Sequence, residues 1–193
     1  RSPVHYFVKE VEVGLKDFDL PEGVVLVDTP GLDDIVEYRS NITRDYIDRA
    51  NAVLVCVKAD ALTGQEMGTI FSVFSNARYH PEKVFIIATQ LDTLNRPEEN
   101  WKQQEREWMK HLSRKGAYGS QRLAERNTIP VSAYLYTLLK GYDTYAQDKD
   151  SEKSWDLESI LLKLRVRNIH ENYDRLCSFT NIDRLKRVIK DDI

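Results

Sequence analysis

Three groups of polar and small residues each follow an apolar run of the sequence. The runs end at residues 27, 88 and 131. The groups that follow are Asp28, Thr29, Pro30 and Gly31; Thr89, Gln90, Leu91 and Asp92; and Ser132 and Ala133. Because ligands of an open α/β sheet bind beyond the carboxyl ends of its strands, we predict that the three groups line one binding site.

The first group has the chemistry of a metal and phosphate site. An aspartate that ends a buried strand is a ligand for Mg²⁺, usually through water, so Asp28 is the predicted metal ligand. Gly31 lacks a Cβ, which lets its backbone N–H approach a phosphate oxygen, while Pro30 fixes the direction of the chain. The structural alternative is a plain strand-to-turn connection, because Asp, Pro and Gly are common turn residues.

The second and third groups have the chemistry of base recognition. The Asp92 carboxylate can accept two hydrogen bonds from guanine N1–H and N2–H₂, a donor pair that adenine lacks. Thr89 can brace neighbouring loops through its hydroxyl, and a backbone N–H of the Ser132–Ala133 pair could reach guanine O6. Each group alone is weak, since Thr-x-x-Asp arises by chance and Ser132 could simply cap the following helix. Their order and their separate apolar runs together predict a guanine-nucleotide site.

The apolar runs themselves predict the strands of a mostly parallel sheet. They cover residues 24–27, 52–57, 84–88 and 128–131, and residues 6–13 alternate in part as a half-exposed strand would. A continuous apolar run indicates a strand buried on both faces, which is typical of a parallel sheet covered by helices.

Helical patterns separate these runs. One helix is predicted from about Ser40, and Thr63 with Glu66 has the capping-box spacing ahead of a second. Pro97 suits the first position of a third helix, and residues 132–140 give a fourth. The alternation predicts an α/β fold of three layers, with a mostly parallel sheet and helices on both faces.

The carboxyl-terminal part adds an interruption and a closing helix. Residues 141–154 are polar and aperiodic, so we predict a loop there. Residues 155–173 contain a helical pattern, and residues 181–190 form the final helix. We therefore predict one domain, with residues 141–179 as an insertion before that helix.

Composition narrows the class of protein. The 193 residues are 41% hydrophobic and 31% charged, as in a globular domain, and the net charge is −3. That charge argues against nucleic-acid binding. Two cysteines and four scattered histidines give neither a disulfide framework nor zinc spacing, and no apolar run approaches the ~20 residues of a membrane span. We expect a cytoplasmic protein and, since no methionine begins the chain, a fragment.

The motifs resemble those of the dynamin superfamily of large GTPases, with bacterial dynamin-like proteins the nearer match. The resemblance covers roughly residues 6–140 and 180–193. The segments that match are Asp28-Thr29-Pro30-Gly31-Leu32, residues 39–66, Thr89-Gln90-Leu91-Asp92, Val131-Ser132-Ala133 and Asn181-Ile182-Asp183-Arg184-Leu185. The first of these segments, with residues 39–66, is the most specific.

Two features depart from the family pattern. Gln90 stands where the family has a lysine, whose stem lies over the base plane. The phosphate loop Gly-x-x-x-x-Gly-Lys-Ser/Thr does not occur in the sequence, because no two of its glycines are five residues apart. We therefore expect the phosphate loop to lie outside this fragment, and we assign no catalytic residue within it.

The resemblance implies GTP binding and hydrolysis, with GTP, GDP and Mg²⁺ as ligands, in a membrane-remodelling protein. It also implies a homodimer or oligomer, and contact with membrane lipid through domains outside this chain, so that the protein could be peripheral at a membrane. The fragment alone is expected to be inactive. Two alternatives stay open: a non-catalytic GTPase-like module with a docking or regulatory role, and a soluble ribosome-linked GTPase without a membrane role.

Overall fold

The computed structural model describes residues 23–29, 37–77, 80–148 and 151–191, with the backbone alone for residues 37–42. The strand predicted at residues 6–13 lies outside these ranges. Pro30 and Gly31 of the first motif also lie outside them, so their predicted contacts stay predictions.

Strands and helices alternate along the described chain. The strands are β1 (Val53–Lys58), β2 (Val84–Thr89) and β3 (Thr128–Pro130). The helices before β3 are α1 (Glu37–Arg49), α2 (Gly64–Asn76), α3 (Pro97–Leu112) and α4 (Gln121–Asn127). Those after it are α5 (Ala133–Lys140), α6 (Tyr142–Tyr145), α7 (Glu152–Lys163), α8 (Tyr173–Thr180) and α9 (Ile182–Asp191).

The described strands form one parallel, three-stranded sheet in the order β1-β2-β3. Val53 of β1 pairs with Val84 of β2, and Ile86 of β2 pairs with Thr128 of β3. All three strands were predicted from continuous apolar runs. The burial of β2 confirms the basis of this prediction, because its residues from Val84 to Ala88 are buried on both faces of the sheet.

One face of the sheet packs against α2 and α3. The residues that meet there include Val55, Val57, Val84, Ile86 and Ala88 from the strands, Ile70, Val73 and Phe74 from α2, and Trp101, Trp108 and Leu112 from α3. Trp108 is fully buried, and its indole N–H donates to the Asp60 carbonyl at 2.9 Å. That bond allows a large aromatic ring to enter the core without leaving a polar atom unpaired.

The other face of the sheet packs against α9. Phe85 and Ile87 of β2 point to this side, where Ile129 of β3 and Val131 join them. The apolar face of α9 that covers them consists of Ile182, Leu185 and Val188. The described part of the chain is therefore an α/β structure whose central strand is enclosed by helices.

A further apolar cluster lies among α5, α6, α7 and α8. Its members include Leu135, Leu138, Tyr145, Leu157, Ile160, Leu164 and Leu176. The loop predicted for residues 141–154 is wrong in part, because α6 occupies Tyr142–Tyr145 and α7 begins at Glu152. The buried Tyr145 explains the difference, since its hydroxyl donates to the Leu138 carbonyl at 2.8 Å and attaches α6 to α5. The division of the chain into a domain and an insertion stays a prediction.

The strand predicted at residues 24–27 is absent. Residues 24–29 have no regular secondary structure, and Val25 is 78% exposed, Leu26 49% and Val27 50%. A strand requires a backbone partner as well as apolar side chains. Within the described residues the neighbour of β1 is β2, and residues 24–27 are not hydrogen-bonded into the sheet. Without that pairing, the apolar run has no surface to cover it.

The predicted helix starts at Thr63 and Pro97 are both observed. Thr63 Oγ1 accepts from the Glu66 N–H at 3.3 Å, and the Glu66 carboxylate accepts from the Thr63 N–H at 2.8 Å. Pro97 is the first residue of α3, where its missing N–H costs nothing. Arg96 precedes it with φ 47° and makes no side-chain cap bond. Within the described residues, none of the helices is both long and apolar enough to cross a bilayer.

The capping box predicts a measurable contribution to stability. Thr63→Ala removes the acceptor for the Glu66 N–H, and we expect it to lower the free energy of unfolding by about 1 kcal/mol. Thr63→Ser keeps the acceptor oxygen and should cost much less. Urea unfolding of both variants is the measurement, and equal losses would show that the box does not stabilise α2.

Candidate functional site

The turns after β2 and β3 meet at the carboxyl edge of the sheet. The turn after β2 is a 3₁₀ helix, Leu91–Thr93, which we call the Asp92 turn. Its Leu91 N–H donates to the Val131 carbonyl at 3.2 Å, and the Val131 N–H donates back to the Ala88 carbonyl at 2.7 Å. The parallel register of β2 and β3 thus brings the second and third motifs of the sequence side by side.

Asp92 and Ser132 form the centre of this site. Asp92 is 5% exposed and Ser132 is fully buried. The Ser132 hydroxyl donates to Asp92 Oδ1. Ser132 stands at the N-cap position of α5, yet its side chain makes no capping bond there. The alternative that Ser132 only caps the following helix is therefore wrong, because its hydroxyl is directed to the carboxylate.

Thr180 fixes the backbone of Ser132 from a third element. The Ser132 N–H donates to the carbonyl of Thr180, the last residue of α8, at 3.1 Å. The Thr180 hydroxyl donates to the Cys177 carbonyl at 2.7 Å, one turn earlier in the same helix. The position of Ser132 thus depends on α8 as well as on β3.

Thr89 connects the carboxyl ends of β1 and β2. Its hydroxyl donates to the Val57 carbonyl at 3.2 Å, and its own carbonyl accepts from the Ala59 N–H at 2.7 Å. The sequence predicts that this hydroxyl braces a neighbouring segment, and in the structure its partner is the end of β1. Both bonds hold the strand end from which the Asp92 turn departs.

Gln90 adopts a backbone conformation that non-glycine residues seldom adopt. It has φ 60° and ψ 35°, in the left-handed region, and its side chain is exposed. Such a conformation costs roughly 1–2 kcal/mol for a residue with a Cβ. The Thr93 N–H and hydroxyl both donate to the Gln90 carbonyl, at 3.0 and 2.8 Å. These bonds and the burial of Leu91, which is 2% exposed, keep the turn in place.

Lys163 also contacts the Asp92 turn, and no motif of the sequence predicts this contact. It is the last residue of α7, and its Nζ donates to the carbonyls of Asp92 and Thr93, at 3.2 and 3.4 Å. A lysine in the last turn of a helix is expected at any exposed helix end. Nothing in the local sequence distinguishes Lys163 from such a residue, because its partners lie about 70 positions earlier in the chain.

Asp28 and Thr29 make no contact with the Asp92 turn that the described residues record. Asp28 is exposed and Thr29 is half-buried, in the stretch without regular secondary structure. Partial burial of its thiol raises the pKa of Cys56 in β1, and the nearby Asp28 carboxylate raises that pKa further. Among the described residues, no hydrogen bond connects Asp28 with Asp92 or Ser132. The structure thus unites the second and third motifs and leaves Asp28 beside β1.

Part of the chain is similar to known proteins. Over 95 residues, or 47% of this chain, it is 33% identical to a human protein named nuclear GTPase SLIP-GC, of which the matched stretch is 12%. Over 92 residues, again 47% of the chain, it is 26% identical to an uncharacterized protein in the xynA 3′ region of Caldicellulosiruptor sp. (strain Rt8B.4), of which the stretch is 22%. No family model and no solved structure matches the chain. The match to the human protein is therefore a partial similarity, over about half of this chain, to a protein named as a GTPase.

The Ser132 hydroxyl is expected to stabilise the fold through Asp92. Ser132→Ala leaves the buried carboxylate without this donor, so we expect the free energy of unfolding to fall by about 1–3 kcal/mol. Ser159→Ala, on the exposed side of α7, is the matched control and should change stability little. Urea unfolding measures the stability of both variants. A Ser132→Ala variant as stable as the control would show that the bond does not stabilise the fold.

The left-handed conformation of Gln90 gives a second stability prediction. Gln90→Val places a β-branched side chain at φ 60°, and we expect a loss of about 1–2 kcal/mol in the free energy of unfolding. Gln90→Asn is the control, because asparagine tolerates this region and should leave stability close to that of the parent protein. Thermal unfolding of the two variants tests the difference. Similar midpoints of thermal unfolding would mean that the backbone of the turn adjusts to valine without a loss of stability.

Proposed function

We propose that this chain binds guanine nucleotide as part of a GTPase, with Asp92 recognising the base. The observation that supports the proposal is the buried Asp92–Ser132 hydrogen bond at the adjoining carboxyl ends of β2 and β3. This edge is where open α/β sheets bind their ligands. The partial similarity to a protein named as a GTPase agrees with it.

The chemistry of the pair suits recognition of guanine. A carboxylate offers about four acceptor positions, and the Ser132 hydroxyl fills one of them. The remaining positions would accept the N1–H and N2–H₂ donors of guanine. Because Ser132 fixes the orientation of Asp92, little side-chain entropy would be lost when the base binds. The exposed Ala133, at the start of α5, is the neighbour whose N–H we propose for guanine O6.

Magnesium would bind at Asp28 in this proposal. An exposed carboxylate is a ligand type that Mg²⁺ accepts, and Mg²⁺ commonly uses one or two carboxylates together with phosphate oxygens. Among the described residues, no group of three or more His, Cys, Asp or Glu side chains is placed to hold a metal ion. In this proposal Asp28 would hold an ion that is shared with the nucleotide and that would neutralise phosphate charge.

The wider activity extends the same proposal. GTP hydrolysis and membrane remodelling by a dynamin-like oligomer rest on the resemblance of residues 28–32, 39–66 and 89–92 to that superfamily. The human relative is named a nuclear GTPase, and that name concerns the relative alone. No residue of this chain is assigned to the chemical step, so hydrolysis would require groups beyond the motifs described above.

A non-catalytic GTPase-like module is the second candidate. Two observations favour it: Asp92 is 5% exposed with its carboxylate bonded to Ser132, and Gln90 replaces the lysine of the family pattern. In such a module the pair would stabilise the edge of the sheet, and a partner protein rather than a nucleotide would be the ligand.

Exchange of the Asp92 carboxylate for an amide separates these candidates. In the full-length protein, Asp92→Asn should weaken GTP binding by about tenfold or more, since hydrogen bonds to charged groups contribute about 1.5–3 kcal/mol each. Xanthosine triphosphate has a carbonyl at position 2, to which the amide can donate, so its binding should be spared or improved. Competition binding with both nucleotides is the measurement.

Controls make the outcome specific. Asp174→Asn, at an exposed position of α8, should leave both affinities unchanged. Equal weakening of both nucleotides by Asp92→Asn would contradict base recognition. A parent protein that binds neither nucleotide would favour the non-catalytic module.

A further inference from the structure

We propose that Lys163 is a positioning residue for the base-recognising carboxylate of Asp92. The inference rests on the proposed function, in which Asp92 recognises guanine. The observation behind it is the contact of Lys163 Nζ with the carbonyls of Asp92 and Thr93, at 3.2 and 3.4 Å. A residue of α7, in the region predicted as an insertion, would thus set the geometry of the nucleotide site.

The backbone of the Asp92 turn needs a partner at this point. The last carbonyls of a helical turn have no N–H donors within that turn, and a lysine ammonium group nearby can donate to them. Lys163 supplies that cation to two of the three carbonyls of Leu91–Thr93. Ser132 fixes the Asp92 side chain, and Lys163 fixes the Asp92 backbone. Asp92 is therefore restrained at both its side chain and its backbone.

The position of Lys163 is itself determined by its surroundings. Its neighbour Leu164 is 4% exposed in the apolar cluster shared with α5. Arg165 follows with φ 57° and lies 3.5 Å from the Glu99 carboxylate of α3, while Arg175 of α8 lies 2.9 Å from that of Glu98. These ion pairs are exposed and contribute little to stability. The Arg165 pair connects the residues just after α7 with the first turn of α3, and the Arg175 pair connects α8 with the same turn.

A cleft of about 210 Å³ lies between the end of α7 and the start of α3. Lys163 and Leu164 line it together with Pro97 and the ion-paired arginines and glutamates. Lys163 thus contacts the Asp92 turn from the lining of this cleft, and not from within the main apolar core. Loss of this contact should loosen the Asp92 turn without opening the main core.

A purely structural lysine is the rival explanation. Lys83 shows that role in the same chain, since its Nζ donates to the carbonyls of Ile47, Asp48 and Ala50 at the end of α1, at 2.9 to 3.2 Å. A structural Lys163 would affect unfolding alone. A positioning Lys163 would also change how strongly the protein distinguishes bases at the Asp92 carboxylate.

The ratio of GDP to IDP affinity in the full-length protein tests the role. Inosine lacks the 2-amino group, so the preference for GDP over IDP reports the bond between that group and Asp92. Lys163→Met should reduce this preference by about tenfold, towards equal affinity, because that bond is made to a charged group. Lys163→Arg keeps a cation and should retain most of the preference. Lys153→Met, on the exposed side of the same helix, should leave it unchanged.

The possible outcomes distinguish a failure of the proposed base recognition from a failure of the positioning role alone. A parent protein without a preference for GDP would overturn the proposed base recognition, and this inference with it. A parent preference that Lys163→Met leaves intact would overturn the positioning role alone, as would equal weakening of GDP and IDP in a folded variant. If Lys163→Met does not fold, Lys163→Gln, which keeps a donor without the charge, is measured by the same ratio.

Discussion

The hydrogen bond between the Ser132 hydroxyl and the buried Asp92 carboxylate constrains much of the surrounding structure. A carboxylate that is 5% exposed must have partners, because an unpaired buried charge is very costly. Its partner comes from the turn after β3, so β2 and β3 must be parallel neighbours whose carboxyl ends coincide. The backbone bonds from Leu91 to Val131 and from Val131 to Ala88 satisfy the same requirement. The parallel pairing of β2 and β3 therefore determines the geometry of the site.

The remaining elements support that edge from several directions. The packing of α2 and α3 on one face and α9 on the other fixes the strands. The bond from the Ser132 N–H to Thr180 brings the end of α8 to the site, and Lys163 brings the end of α7. Residues far apart in sequence therefore converge on two turns. The ends of α7 and α8 both lie within hydrogen-bond distance of the two turns, so the packing of these helices bears directly on the site.

Features set by local sequence were predictable, and features set by distant partners were not. The strands from residues 52–57 and 84–88 and the capping box of α2 follow from apolar runs and residue spacing, which act over a few positions. The run at residues 24–27 has the same local signal, yet it forms no strand because pairing depends on another part of the chain. The structure brings the second and third motifs together at the carboxyl ends of β2 and β3, while their role in ligand binding stays a prediction. Lys163 and the left-handed Gln90 were missed, since tertiary contacts alone determine both.

The concentration of unfavourable features at one turn is an argument for ligand binding there. Gln90 bears a left-handed backbone, and Asp92, two residues later, is a buried carboxylate. Replacement of a buried ionic group by apolar residues of similar volume is often neutral or stabilising, so stability alone gives little reason for an aspartate at this position. Strained backbone and buried charge cluster at sites whose function requires them. A buried carboxylate oriented by Ser132 is costly as a structural device. In the function that we propose, it would distinguish one base from another, with Lys163 as its positioning residue.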